Sequence, residues 1–189
     1  MIEAMTVSTV AVALGEMGDK TQLLALLLAA RFRRPLPIVL GIAVATLANH
    51  ALAGALGAWL SKMVDPTWMR WLLGASFIAV ALWLLVPDKA DANAGQEPGR
   101  FGVFGVTTVA FFLTEIGDKT QVATVMLAAR YDALVAVVLG TTLGMLVANV
   151  PAVLLGERIV RHVPIAIVHR VAAGLFAAIG VALLAGWGL

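Results

Sequence analysis

Apolar residues run along this chain in long blocks, and polar residues collect in short breaks between them. Six blocks are long enough to cross roughly 30 Å of hydrocarbon as helices: 5–30, 36–60, 68–87, 101–129, 134–157 and 165–187. The breaks are Arg31-Phe32-Arg33-Arg34-Pro35, Lys62-Met63-Val64-Asp65-Pro66, the hydrophilic run 87–100, Arg130-Tyr131-Asp132, and the stretch from Arg158 to Pro164. The pattern predicts an all-α membrane protein of six transmembrane helices.

The blocks repeat. Ala29-Ala30-Arg31 matches Ala128-Ala129-Arg130, Leu40-Gly41 matches Leu139-Gly140, and Gly57 matches Gly156, all at an offset of 99 residues. In the third block of each half the register slips by one, so that Arg70 and Gly74 correspond to Arg170 and Gly174. Three spans per half mean that the second copy enters the bilayer upside down relative to the first, the arrangement of inverted-repeat transporters. The expected organisation is a first three-span repeat over 1–87, a cytoplasmic linker over 88–100, and a second, inverted repeat over 101–189.

Composition narrows the class. The chain is 61% hydrophobic and 13% charged, with a mean hydropathy of +0.98; a soluble domain is nearer half apolar and a quarter charged. The net charge of +2 sits in loop lysines and arginines, with no basic stripe interleaved with aromatics, so nucleic acid is not an expected partner. Cysteine is absent, which excludes thiolate metal sites and disulfides. The opening residues MIEAMT lack the basic region of a cleavable signal, so the first block is expected to be retained as a span. Lysines and arginines crowd the first, third and fifth loops, as Arg31, Arg33, Arg34, Lys89, Arg100, Arg158 and Arg161. The positive-inside rule makes that side cytoplasmic, with both termini outside. Trp59, Trp68, Trp71, Trp83 and Trp187 fall near span ends, where an interfacial belt belongs.

Against this background one charged heptapeptide stands out, because it occurs twice inside apolar blocks. Glu16-Met17-Gly18-Asp19-Lys20-Thr21-Gln22 recurs as Glu115-Ile116-Gly117-Asp118-Lys119-Thr120-Gln121. A charge at the centre of a membrane helix costs about 2.5–3.5 kcal/mol, so six cost on the order of 15 kcal/mol before pairing. Intramembrane ionisable residues are by default a functional site. As a helix, each motif puts its Glu, Asp and Lys on one face; Gly18 and Gly117 also permit local unwinding, which exposes carbonyls and half-helix ends to ions. The repeats are expected to bring Glu16, Asp19, Glu115 and Asp118 together, with Thr21, Gln22, Thr120 and Gln121 adjacent. An all-oxygen set of this kind suits a hard dication such as Ca2+, Mg2+ or Mn2+. Four carboxylates and two lysines leave the empty site at −2, which one dication or two protons would neutralise. Metal and protons then compete for the same oxygens, so near-electroneutral exchange is expected. Lys20 and Lys119 either neutralise the empty site or swap partners when metal arrives. His50 and Asn149, partners in register, are auxiliary candidates whose expected role is interhelical hydrogen bonding.

The doubled E-x-G-D-K-T, one copy per half, resembles the Ca2+/Mn2+:proton exchanger family once called uncharacterised protein family 0016, which holds bacterial manganese exporters and eukaryotic Golgi calcium/manganese transporters. Both copies match the family pattern throughout, and the resemblance covers essentially the whole chain. It implies cation binding by Glu16, Asp19, Glu115 and Asp118, with Lys20, Thr21, Lys119 and Thr120 as motif members. It implies a secondary transporter of the cell (inner) membrane that exports Mn2+, with Ca2+ as the other candidate, in exchange for protons and with no cofactor. Two rivals come from other classes. An exporter of amino acids or organic cations would need an apolar pocket beside the acids. An intramembrane aspartyl protease would need a shared-proton aspartate dyad, which a lysine beside each aspartate opposes, so no enzyme is expected. Oligomeric state is not encoded in these patterns.

Overall fold

The computed structural model describes residues 1–86, 102–156 and 165–187. Lys89, Arg100, Arg158, Arg161 and His162, together with the expected linker 88–100, lie outside the described residues. Among those residues the chain forms eight helices and no strand: α1 (Ile2–Glu16), α2 (Lys20–Phe32), α3 (Pro35–Met63), α4 (Pro66–Leu84), α5 (Gly102–Glu115), α6 (Lys119–Arg130), α7 (Leu134–Leu155) and α8 (Ile165–Leu184). Helices α3, α4 and α7 and residues 166–184 of α8 are long and apolar enough to cross a membrane, and α5 is a shorter apolar helix. Pro35 opens α3. Pro66 opens α4 beside Asp65, whose side chain accepts from the Thr67 N–H at 2.8 Å. Proline suits this first position because its missing N–H would have no helical partner there.

The first and fourth apolar blocks are not continuous helices, and this corrects the one-face helical placement of the motif. Each block is two helices that meet at the charged heptapeptide, α1 with α2 and α5 with α6. The cause is local: Gly18 and Gly117 take φ of +83° and +75°, a left-handed conformation that a helix cannot continue through.

Packing follows an exchange pattern. Helix α1 lies along α7, α5 lies along α3, α3 meets α7, and α4 pairs with α8. A Cβ on Gly41 would meet the Phe104 carbonyl at 3.0 Å and the Thr107 Cβ at 2.8 Å; one on Gly140 would meet the Met5 carbonyl at 2.5 Å and the Ser8 Cβ at 3.0 Å. Each contact is the other's image under the 99-residue offset. The large exposed side chains are apolar, Leu52, Leu56, Val109, Leu113, Leu154 and Leu155 among them, as lipid-facing surfaces require. All five tryptophans are exposed.

Two departures from the exchange pattern are large. The α4–α8 pair leans on α1 and α6 rather than on α2 and α5. The α3–α6 seam is tight, since a Cβ on Gly57 would lie 2.1 Å from the Val125 carbonyl oxygen. The corresponding seam between α2 and the end of α7 instead borders a cleft of about 940 Å³, lined by Leu26, Leu27, Ala30, Arg31, Val153 and Gly156.

The Gly57 contact yields a direct check. Gly57→Ala forces a methyl into the Val125 backbone and is expected to destabilise the folded protein by about 1–3 kcal/mol. Gly174→Ala, where a Cβ meets nothing within 4 Å, is expected to be neutral or slightly stabilising. Thermal unfolding in detergent measures both, and equal midpoints would show that the α3–α6 seam is looser than described.

Candidate cation site

The site is built from two helix breaks with the same local architecture. In the first, the Asp19 N–H donates to the Glu16 carbonyl at 3.0 Å; in the second, the Asp118 N–H donates to the Glu115 carbonyl at 3.0 Å. The N–H of each left-handed glycine then donates to a glutamine side chain four residues on, Gly18 to Gln22 Oε1 at 3.0 Å and Gly117 to Gln121 Oε1 at 2.7 Å. Gln22 and Gln121 thus complete the breaks rather than join the cluster of carboxylates. Gln22 also donates through Nε2 to the Ala148 carbonyl at 2.9 Å, tying the first break to α7. Asp19 and Asp118 stand at the N-caps of α2 and α6, where the positive end of a helix dipole favours an anion.

Three of the four motif acids converge. Glu16, Asp19 and Asp118, all buried, each bring a carboxylate oxygen within 4.8 Å of the others. Thr21 Oγ1 donates to Glu16 Oε2. Asp118 Oδ2 accepts from the N–H and the hydroxyl of Thr120, each at 3.2 Å. The lysines cross between the breaks: Lys20 Nζ lies 3.1 Å from Asp118 Oδ1, and Lys119 Nζ lies 3.8 Å from Asp19 Oδ1. The two pairs differ in exposure, because Lys20 is 25% exposed and Lys119 only 2%. Lys119 Nζ also reaches the Val86 carbonyl, just beyond α4, at 3.4 Å. His169 of α8 places its Nε2 2.8 Å from the Met17 carbonyl.

Glu115 is the exception. Its carboxylate accepts from Thr46 Oγ1 at 2.9 Å and from Asn49 Nδ2 at 3.3 Å, both on α3, and it is not among the three acids whose oxygens lie within 4.8 Å of one another. Asn149 donates to the Met145 carbonyl of its own helix at 3.1 Å rather than across helices. His50 is buried with no hydrogen bond at Nδ1, so the expected interhelical bond is not formed at that atom either. Thr46, Asn49 and His169 escaped the motif-based expectation. Their signal in sequence is slight: single polar positions or pairs on otherwise apolar helices, with Thr46 one turn before His50, Asn49 beside it, and His169 beside Arg170.

A polytopic helical membrane protein with buried carboxylates at paired helix breaks, balanced by lysines, has the architecture of an ion transporter rather than an enzyme. The chain belongs to the divalent cation/proton antiporter GDT1 family, whose description it matches over residues 4–92 and 103–187. It is 49% identical over 177 residues to a Vibrio cholerae protein (serotype O1, strain ATCC 39541 / Classical Ogawa 395 / O395) named "Putative manganese exporter", covering 93% of this chain and 88% of that one. It is also 28% identical over 177 residues to the GDT1-like protein sll0615 of Synechocystis sp. (strain ATCC 27184 / PCC 6803 / Kazusa), covering 83% of this chain and 84% of that one. No solved structure matches the chain significantly.

The unequal burial of the crossed pairs predicts unequal costs. Lys119→Met removes the cation facing a fully buried carboxylate and is expected to destabilise the protein by about 3–5 kcal/mol. Lys20→Met, whose side chain is 25% exposed and whose partner Asp118 keeps two bonds from Thr120, is expected to cost less. Thermal unfolding in detergent ranks the two, and the reverse order would contradict the burial difference.

Proposed function

We propose that this protein exports Mn2+ from the cytoplasm across the inner membrane in exchange for protons, with Ca2+ as a competing substrate. The observation that carries this is the convergence of Glu16, Asp19 and Asp118 within 4.8 Å, from two separate helix breaks, in an otherwise apolar bundle. Carboxylates crowded this closely hold a dication or protons rather than stand bare. The two motifs together carry four acids and two lysines, so one M2+ or two H+ balances them, with Glu115 contributing its charge from beside the three-acid cluster. Exchange of one for the other moves little net charge. The manganese named in the relative from Vibrio cholerae favours Mn2+ as substrate.

The proposed architecture is six spans in two inverted three-helix repeats, 1–87 and 101–189, joined by a cytoplasmic linker at 88–100, with both termini outside. Two observations support it: the packing of α1 on α7 and α5 on α3, and the matched contacts of Gly41 and Gly140. In that orientation α1 and α6 form the outer half of the bundle and α2 and α5 the inner half. The α4–α8 pair then closes the outer half, while the cleft beside α2 lies on the cytoplasmic side.

The test is proton movement driven by metal in proteoliposomes, comparing wild type with Asp19→Asn and Asp118→Asn. Addition of Mn2+ is expected to move protons in the opposite direction with a weak response to membrane potential, and each variant is expected to fall to background. Metal uptake without proton movement would sink the exchange mechanism, and a steep voltage dependence would sink the stoichiometry.

A further inference from the structure

The two motif glutamates share a sequence context and end in different surroundings. Glu16 accepts from the Thr21 hydroxyl and stands in the cluster with Asp19 and Asp118. Glu115 is held on α3 by two buried donors, Thr46 and Asn49. Asn49 Nδ2 donates at the same time to the Phe112 carbonyl at 3.0 Å, so its amide is braced against α5. The 99-residue offset carries Thr46 to Met145 and Asn49 to Ala148. The matched contacts of Gly41 on α5 and Gly140 on α1 show that this is the register in which the helices meet. Met145 and Ala148 therefore occupy, against α1, the places that Thr46 and Asn49 occupy against α5. Neither of those side chains carries a donor, so nothing on α7 repeats the hold that α3 has on Glu115.

We propose that Thr46 and Asn49 are positioning residues that keep the Glu115 carboxylate out of the cation cluster and thereby set which dication the site prefers. The proposal rests on the cluster being the cation site. Three carboxylates completed by water suit a small ion with octahedral coordination, whereas Ca2+ takes six to eight oxygens and accepts a bidentate carboxylate readily. A released Glu115 adds up to two oxygens and one negative charge, which favours the larger ion. The inequality of the repeats is thus a selectivity device, written as Thr46 and Asn49 on one side and Met145 and Ala148 on the other.

The experiment titrates Mn2+ and Ca2+ separately into purified protein and compares affinities and transport KM and kcat for wild type, Thr46→Val/Asn49→Leu, and Thr46→Ser. The double variant is expected to raise the Ca2+-to-Mn2+ affinity ratio about tenfold, the scale typical of residues that orient ligands. Thr46→Ser, which retains the hydroxyl, is expected to leave the ratio at the wild-type value, which a purely structural role would not distinguish. Should the double variant fail to fold, the near-isosteric Thr46→Val alone is read, with a smaller shift in the same direction. The converse pair Met145→Thr/Ala148→Asn is expected to hold Glu16 as Glu115 is held and to weaken both ions. Binding that requires Asp19 and Asp118 yet keeps its ratio in the folded α3 variants overturns the proposal alone. Metal binding indifferent to Asp19→Asn and Asp118→Asn overturns the cation-site reading beneath it.

Discussion

A helix interrupted inside a bilayer leaves backbone polar groups with no water to turn to, and each unsatisfied group there costs several kcal/mol. Everything at the centre of this protein answers that constraint. A left-handed glycine ends α1 and another ends α5, and in each case a glutamine four residues on takes the glycine N–H. The following aspartate turns the chain into the next helix, with its N–H returned to the glutamate carbonyl. The E-x-G-D-K-T-Q spacing is therefore first a solution for breaking a helix in apolar surroundings. Three of the four motif acids face one another because the breaks do. The break also aims the positive ends of α2 and α6 at the carboxylates, which lowers the cost of gathering negative charge there.

Equal breaks do not make equal halves. The backbone bonds and the glutamine bonds agree between the motifs, but the threonines already differ, Thr21 bonding Glu16 and Thr120 bonding Asp118, and the surroundings diverge further one layer out, where α3 supplies donors and α7 supplies a thioether and a methyl. The divergence continues at the periphery, where α4 and α8 cover α1 and α6 and a cleft opens beside α2. Repeats of this kind can exchange surroundings by moving one element against the rest. Differences fixed by sequence, such as Thr46 against Met145, persist through any such exchange. The replacement of Thr46 and Asn49 by Met145 and Ala148 is written into the chain itself.

Much of this was legible before any coordinates. The apolar blocks pointed to an all-helical membrane protein, the offset of 99 residues paired Gly41 with Gly140, and the doubled Glu-x-Gly-Asp-Lys picked out the two helix breaks. Hydropathy could not show that two of the blocks are broken helices, because a three-residue turn barely changes a window of twenty apolar residues. The role of the glutamines was hidden for a similar reason. A polar side chain beside acids reads as a ligand, and only the positive φ of the preceding glycine reveals that its oxygen is committed to the backbone. The hold on Glu115 was out of reach because it joins residues 69 and 66 positions apart through helix register. Pairing His50 with Asn149 by sequence offset put attention one residue beyond Asn49, the residue that bonds the glutamate.

The crossing of the lysines gives the site its reach. Each motif places its lysine next to its own aspartate in sequence, yet each ammonium faces the aspartate of the other motif. The two breaks are thus held together through the groups proposed to bind the transported ion. A dication that takes an Asp19 or Asp118 oxygen competes directly with the lysine that spans the halves, so occupancy and the tie between halves are linked. On the Lys119 side the same ammonium reaches the carbonyl just beyond α4, and on the opposite helix of that pair His169 reaches the Met17 carbonyl within the first break. The α4–α8 pair therefore touches both breaks, the Lys119 ammonium of one and the Met17 carbonyl of the other. On the proposed reading, coupled exchange requires a difference in ion affinity between two arrangements of the bundle, and these contacts are where the breaks meet the elements that cover α1 and α6.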